Sequence, residues 1–212
     1  MTELLVERAT IRAADRLGCA ARGVAHVLTE QDRAAAFERV ALPHLQSAFR
    51  LARWLTRNPH DAEDVLQEAY LRAFRYFESF SGTDARTWLL SIVRNTFHDY
   101  RRKHPLSATD GEVDARELSV DGGDAVVAGR REASPEQRLA QAAERARIDA
   151  AILALPIEFR EVIVLRELEE LSYKEIASVV RIPIGTVMSR LSRGREDLRR
   201  LLKSGDGGGG NG

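Results

Sequence analysis

Apolar residues recur at helical spacing through almost the whole chain, and this periodicity constrains the fold more than any other feature. Leu45, Ala48, Ala52 and Leu55 show the pattern, with steps of three or four residues that keep them on one helix face. No stretch shows the sustained alternation, bounded by turn residues, that is typical of a β-strand. The sequence therefore predicts an all-α protein.

A change of composition divides this helical pattern into two blocks. Residues 105–133 are rich in Gly, Asp, Ser and Ala and contain no aromatic residue. Such a segment has too little apolar surface to form a core, so we predict a flexible, acidic linker. It joins two small helical domains, residues 34–104 and 134–203. We expect residues 1–33 to be an extension of unknown role and the glycine-rich residues 204–212 to be disordered.

Capping residues predict where individual helices begin. In the first domain, Asp61 and Asp84 are the expected N-caps of the second and third helices. In the second domain, Ser134 and Ser172 are each followed, three residues later, by Gln or Glu, which is the capping-box pattern. A final helix is expected from about residue 184 to 202.

Composition excludes several classes of protein. The chain is 44% hydrophobic and 30% charged, as a folded globular protein is. It has no run of about 18 apolar residues that could span a membrane, and its first residues lack the apolar stretch of a secretory signal. The single cysteine, Cys19, excludes an internal disulfide and a multi-cysteine metal site. We therefore expect a cytoplasmic protein with no membrane insertion, no metal and no cofactor.

Charge is segregated along the chain although the formal net charge is zero. Residues 105–134 hold seven acids and three arginines, whereas residues 183–203 hold six bases and two acids. Because local charge rather than the sum decides electrostatic partners, the basic segment is suited to nucleic acid.

The last two helices show a helix-turn-helix pattern, with a short capped helix, a tight turn and a basic helix. Six apolar residues are expected to hold the two helices together: Ile176, Ala177, Val180, Ile182, Val187 and Leu191. On the outer side of the second helix we expect residues that contact bases or phosphates in a major groove, namely Thr186, Met188, Ser189, Arg190, Ser192, Arg193 and Arg195. The alternative is a solvated face of an ordinary bundle.

The third helix of the first domain mixes aromatic, amide and basic groups, which is the chemistry of a platform for single-stranded nucleic acid. Its candidate residues are Thr87, Trp88, Arg94, Asn95, His98, Tyr100, Arg101, Arg102 and Lys103. Two alternatives stay open. Trp88 can be a core residue, and the basic end can simply be a favourable helix C-terminus.

An acidic face on the second helix is the third candidate site, formed by Asp61, Glu63, Asp64, Gln67 and Glu68. Such a face can bind a metal, act as acid and base, meet a basic partner or only be solvated. An enzyme would also need a nucleophile, a base or a metal shell, and the sequence offers none. We therefore expect no catalytic residue.

Two sets of motifs, in order along the chain, resemble those of bacterial sigma factors. Residues 61–75, with Thr87, Trp88, Leu89 and Asn95, are similar to the segment that binds core RNA polymerase. Residues 155–162, 165–166, 171–177 and 183–191 resemble the promoter-reading domain of the extracytoplasmic-function (ECF) subfamily of sigma-70 family RNA polymerase sigma factors. The resemblance covers about two thirds of the chain.

The resemblance implies an all-α fold with a region 2 bundle at 34–104 and a region 4 helix-turn-helix at 134–203. It also implies a non-enzymatic factor that binds core RNA polymerase and directs promoter recognition, DNA melting and transcription initiation in a stress response. Residues Asp61, Asp64, Gln67 and Glu68 would contact the clamp helices of the largest subunit, and a further contact would be made with the polymerase flap. An anti-sigma factor would hold the free protein inactive.

The resemblance also divides promoter recognition between the two domains. Single-stranded DNA of the −10 element would be held by Thr87, Trp88, Arg94, Asn95, His98, Arg101, Arg102 and Lys103, with a flipped base near Asn95. Duplex DNA of the −35 element would be read by the final helix. Met188 and Ser192 depart from the residues of many relatives, so the base sequence read is expected to differ. Gly194 stands where an alanine is more usual, which is a small change on the packed face. The alternative function is a stand-alone helix-turn-helix regulator, which would not need the motifs of the first domain.

Overall fold

The structure, a computed structural model, describes residues 30–82, 84–104 and 134–205, and these ranges contain helices and no strand. The all-α prediction is confirmed. The helices form two domains, an N-terminal bundle (30–104) and a C-terminal domain (134–205). The helices are α1 Glu30–Ala41, α2 Leu45–Thr56, α3 Pro59–Tyr76, α4 Ala85–Lys103, α5 Pro135–Ala154, α6 Ile157–Ile163, α7 Tyr173–Val180 and α8 Ile184–Gly205.

Three short turns connect these helices, two of them 3₁₀ (Leu42–His44 and Phe77–Ser79) and one π (Val164–Leu168). None of the helices within the described ranges is long and apolar enough to cross a bilayer. Residues 1–29, which include Cys19, the predicted linker at 105–133 and the tail after residue 205 lie outside the described residues.

The N-terminal bundle is built on α2, α3 and α4, which pack against one another around an apolar core. The largest side chains of this core are less than 3% exposed: Leu51, Leu55, Leu89, Leu90 and Phe97. These residues occupy apolar positions of the helical pattern seen in the sequence. Each helix therefore buries one apolar face, and the three faces together form the core of the bundle.

Helix α1 begins at Glu30, before the domain start that the sequence indicated at residue 34. Its Phe37 ring packs edge-on against three aromatic rings, with centroids 5.4 to 6.1 Å apart: Tyr70, Phe74 and Phe77. Arg33 also donates a hydrogen bond to the Phe74 carbonyl at 2.9 Å. These contacts with a distant part of the chain stabilise the helix, and the local sequence does not show them.

Three of the four predicted N-caps are confirmed. The Asp84 carboxylate accepts a hydrogen bond from the Thr87 N–H at 3.0 Å. Ser134 and Ser172 each form a complete capping box with the residue three positions later. The helix starts that depend on local side chains could therefore be predicted from the sequence alone.

The prediction that Asp61 caps α3 is wrong. The helix begins at Pro59, and the Asn58 side chain accepts hydrogen bonds from the N–H groups of His60 at 2.8 Å and Asp61 at 3.3 Å. Proline is favoured at the first helical position because its φ is already helical. The helix therefore starts at Pro59, before the start that a cap at Asp61 would give. Asp61 is left free to accept a hydrogen bond from Tyr100 of α4.

Helices α7 and α8 form the predicted helix-turn-helix. Arg181 ends α7 in the left-handed conformation, with φ 57°. Four of the six predicted apolar residues are at most 2% exposed (Ile176, Val180, Val187 and Leu191), and Ala177 and Ile182 are partly buried against them. Helix α8 continues to Gly205, past the end expected near residue 202.

Gly194 allows α8 to approach α6 closely. A Cβ at this position would lie 3.1 Å from Ile163 Cγ1 and 3.3 Å from Phe159 Cβ, which is closer than ordinary van der Waals contact. An alanine at this position would therefore require the Ile163 side chain to shift.

The two domains contact each other directly, with α7 packed along α4 and α6 against α2. Arg160 of α6 is 3% exposed and donates hydrogen bonds to the carbonyls of Trp54 in α2 and of Leu155, both at 3.1 Å. Burial, together with the nearby charges of Arg57 and Arg101, lowers the pKa of Arg160 to about 9.

Glu170, between the π turn and α7, has a φ of 54°, which is costly for a residue with a side chain. Glycine avoids this strain but loses more conformational entropy on folding. We expect Glu170→Gly to raise the free energy of unfolding by up to about 1 kcal/mol in urea denaturation. Ser178→Gly, at an exposed helical site of α7, should lower it. A loss of stability in both variants would contradict the assignment of strain to Glu170.

Candidate nucleic-acid interface

Helix α4 carries the residues that were predicted to form a platform for single-stranded nucleic acid. Some of these residues are packed inside the protein. Trp88 is half-buried, and its ring lies 4.7 Å from that of Phe80. Thr87 is 8% exposed, and its hydroxyl has no hydrogen-bond partner among the described residues. Both residues therefore contribute to packing, as the core interpretation of Trp88 proposed, and only part of the Trp88 surface is accessible.

The basic side of α4 faces the C-terminal domain. Arg94 donates two hydrogen bonds to the Glu161 carboxylate of α6, at 2.9 and 3.2 Å, and His98 Nε2 lies 3.4 Å from the same carboxylate. Farther along α4, Arg102 is paired with Asp99. A cavity of about 550 Å³ opens beside these groups and is lined by Arg94, Asn95, His98, Asp99, Arg101, Arg102 and Arg181.

Glu161 is ionised in this setting, although it is 2% exposed. Burial alone would raise the pKa of its carboxyl, but hydrogen bonds from His98 and Arg94 outweigh that effect and lower the pKa. Arg190 of α8 also donates to the same carboxylate, at 3.1 Å. One buried anion thus gathers cations from both domains.

Four residues of α8 that were predicted to lie on its outer face are exposed. Met188, Ser189, Ser192 and Arg193 are exposed to solvent, and Thr186 is half-exposed. These side chains share one side of the second helix of the helix-turn-helix, which is the element that enters a major groove in this motif.

Two predicted DNA-reading arginines are engaged within the protein instead. Arg190 was expected on the outer side, but it turns toward Glu161 and is only partly exposed. Arg195 forms a two-nitrogen contact with Glu167, at 3.0 and 2.7 Å. Glu161 was not predicted from the sequence as the partner of Arg190. The signal was present, because this acid interrupts an apolar helical run.

The acidic face of α3 borders a second cavity, of about 370 Å³, between α3 and α4. Asp64 and Gln67 are exposed there, and Glu68 is paired with Arg72 at 2.7 Å. Leu71, at 50% exposed, adds an apolar contact beside them. The combination of acids, an amide and an exposed leucine is suited to a protein partner.

Models of two protein domains match the chain. The family model described as Sigma-70 region 2 matches residues 41–105, and the family model described as Sigma-70, region 4 matches residues 145–198. The ECF RNA polymerase sigma factor SigW of Bacillus subtilis is 35% identical over 170 residues, which cover 79% of this chain and 89% of the relative. The chain is an ECF sigma factor. Region 2 therefore includes α2, α3 and α4, and region 4 includes the end of α5 and the helices after it.

Other relatives agree with this assignment. The ECF sigma factor SigE of Mycolicibacterium smegmatis is 36% identical over 166 residues, or 78% of this chain, which spans only 61% of that relative's length. A solved structure of sigma factor RpoE with the anti-sigma factor NepR from Bartonella quintana has a TM-score of 0.57 and 28% identity, covering 79% of this sigma factor and 97% of that chain. CnrH, solved with the cytosolic domain of CnrY, has a TM-score of 0.55 at 22% identity over 93% and 98% of the two chains, and shows the fold alone.

The Tyr100 hydroxyl joins the two helices that border the acidic face, since it donates to Asp61 Oδ1 at 2.8 Å. Burial, together with this hydrogen bond, raises the pKa of Tyr100 to about 12. The folded sigma factor thus favours the neutral phenol. The stability this bond contributes is complete below pH 10, the ordinary pKa, and is lost as the pH rises toward 12.

We expect Tyr100→Phe to lower the free energy of unfolding by about 1 kcal/mol near neutral pH. The difference from the wild type should shrink above pH 10, the ordinary pKa of the phenol, when urea denaturation is measured over a series of pH values. Tyr76→Phe, at a residue 62% exposed, should match the wild type throughout. A difference that stays constant with pH would contradict the role assigned to the Tyr100 proton.

Proposed function

We propose that this sigma factor binds core RNA polymerase and directs it to promoters, where it recognises and melts DNA to initiate transcription. The observation that carries the proposal is that one chain holds both a groove on region 2 that exposed Asp64 and Gln67 border and a helix-turn-helix with an exposed polar and basic face on region 4. The protein would act in the cytoplasm and perform no catalysis of its own.

The polymerase contact is proposed for the groove between α3 and α4. Asp64 and Gln67 offer exposed polar groups to the clamp helices of the largest subunit, and Leu71 supplies an apolar contact. Asp61 and Glu68 have a different role in the free chain, because they are bound by Tyr100 and Arg72. We therefore assign them to shaping the groove and Asp64 and Gln67 to direct contact. Region 4 would contact the polymerase flap.

Recognition of the −10 element is proposed for α4. Asn95 is half-exposed at the cavity between the domains, where its amide can hydrogen-bond a base turned out of the stack. Arg101, Arg102 and Lys103, at the end of α4, would hold the phosphates of the single strand. Arg94 and His98 can join them only after they leave Glu161.

Recognition of the −35 element is proposed for α8. Met188 and Ser192 can contact base edges, and Arg193 can donate two hydrogen bonds to guanine. These side chains are all exposed on one face. Arg199 and Arg200, also exposed on the later part of α8, are suited to phosphates, which fix position without reading sequence.

An anti-sigma factor is proposed as a further partner. The solved RpoE that this sigma factor resembles at 28% identity is bound to such a factor. Binding would keep the chain from polymerase until a stress signal releases it.

Reconstitution tests the proposed function. The purified chain would be mixed with sigma-free core RNA polymerase and genomic DNA, and the 5′ ends of the transcripts mapped. We expect discrete start sites that depend on the chain and share a two-part upstream motif. A folded chain that neither binds core polymerase nor produces start sites would contradict the proposal and favour the stand-alone regulator.

Asp64→Ala should weaken binding to core polymerase at least about fivefold, because an exposed contact that lines the groove is lost. Fluorescence anisotropy of the labelled sigma factor would measure this. Glu63→Ala is the matched control, since Glu63 is an exposed acid on the same helix but does not border the groove. Equal losses in the two variants would show that general charge, and not the groove, attracts polymerase.

Arg193→Ala should reduce binding of the −35 element by about 1–3 kcal/mol and relax the preference at one base pair. Arg199→Ala should weaken binding evenly on all sequences. The element recovered by start-site mapping and its single-base variants would be compared in a gel-shift titration with isolated holoenzyme. An even loss for Arg193→Ala would assign Arg193 to phosphate contact instead.

A further inference from the structure

Two buried glutamates of region 4 join it to region 2. Glu169 has a fully buried side chain, and its two oxygens accept hydrogen bonds from Arg50 of α2 at 2.6 Å and Arg86 of α4 at 2.5 Å. Glu161, with a side chain 3% exposed, binds Arg94 of α4. These ion pairs cross from one domain to the other.

The pairs make the closed arrangement dependent on charge. A carboxylate buried without a partner is costly, because it loses its hydration and gains nothing in return. In the closed chain Glu169 keeps both arginines, so both of its oxygens are bound. If the domains separate, water can hydrate the glutamates and the arginines. These charges are therefore satisfied in both states, by ion pairs in the closed state and by water in the open state.

The closed arrangement occupies groups that the sequence predicts to contact DNA. Arg94 and His98 belong to the −10 helix and Arg190 to the −35 helix, yet all three contact the Glu161 carboxylate. Helix α7 also packs along α4. In the closed chain, a carboxylate thus contacts groups that would otherwise be available to a DNA phosphate.

We propose that Glu161 and Glu169 hold the free sigma factor in a closed, autoinhibited state, in which region 4 is the partner that covers the −10 helix. Binding of region 2 and region 4 to separate sites on core polymerase opens this state and releases Arg94, His98 and Arg190 for DNA. The inference rests on the proposed function for the −10 role of Arg94 and His98, and on the sequence prediction for the −35 role of Arg190. The closure itself rests on the ion pairs.

Glu169→Gln tests the closure, because it keeps the shape of the side chain, removes its charge and alters no residue assigned to DNA. Glu158→Gln is the matched control, since it removes one exposed negative charge from the same domain. The probe is a fluorescein-labelled single strand of mixed sequence, added to the full chain without polymerase. We expect Glu169→Gln to bind it about fivefold or more tightly than Glu158→Gln does. Small-angle X-ray scattering should show a larger radius of gyration for Glu169→Gln alone.

A second variant removes the arginine partners in region 2 and serves as the test if Glu169→Gln folds poorly. Arg50→Gln with Arg86→Gln replaces two partly exposed arginines and leaves region 4 unchanged. Arg39→Gln with Arg75→Gln removes the same charge from exposed sites of the same domain. We expect the radius of gyration to rise for the first pair and not for the second, with circular dichroism confirming that both are folded. Unchanged size in every folded variant, with single-strand affinity equal to the control, would overturn the proposal.

The same preparations keep this inference separate from the proposed function. The size and single-strand affinity of the free chain decide the closure without polymerase. Transcription from mapped start sites with core polymerase decides the function. A chain that opens as expected but directs no initiation would contradict the proposed function only, and a chain that directs initiation but never changes size would contradict the closure only.

Discussion

The Glu161 carboxylate is the interaction on which the arrangement of the two domains depends most. It is almost fully buried, it lies on α6, and it binds Arg94, His98 and Arg190. The hydrogen bonds keep its pKa low in spite of burial, so the charge persists at neutral pH. A lone buried charge would destabilise the fold, whereas a shared one positions α4, α6 and α8 relative to one another.

The ion pairs that join the domains also involve basic groups that the proposed function needs. A formal net charge of zero hides basic surfaces that are suited to DNA, and internal acids neutralise part of them in the closed chain. Arg193 stays exposed, so region 4 retains some capacity for DNA contact. In the proposed closure, binding to polymerase and binding to DNA are coupled, because both would require that the two regions separate.

Local features of the fold could be predicted from the sequence, whereas contacts between distant residues could not. The capping boxes at Ser134 and Ser172 and the apolar seam of the helix-turn-helix depend on neighbours a few residues away. Arg193 is exposed on α8 as predicted, whereas Arg190, predicted for the same outer face, turns toward an acid in another helix. The start of α3 was misplaced because Asn58 and Asp61 are both good caps, and Pro59 decides between them.

A distance measured between the two regions, with and without polymerase, tests the central claim that polymerase binding exposes the DNA-reading groups. Cys19, the only cysteine, would be replaced by serine, and spin labels attached at Arg75→Cys in α3 and Glu196→Cys in α8, both exposed positions. Pulsed electron paramagnetic resonance should give one short distance for the free chain and a longer one after core RNA polymerase is added. The same distance in both samples would contradict the account.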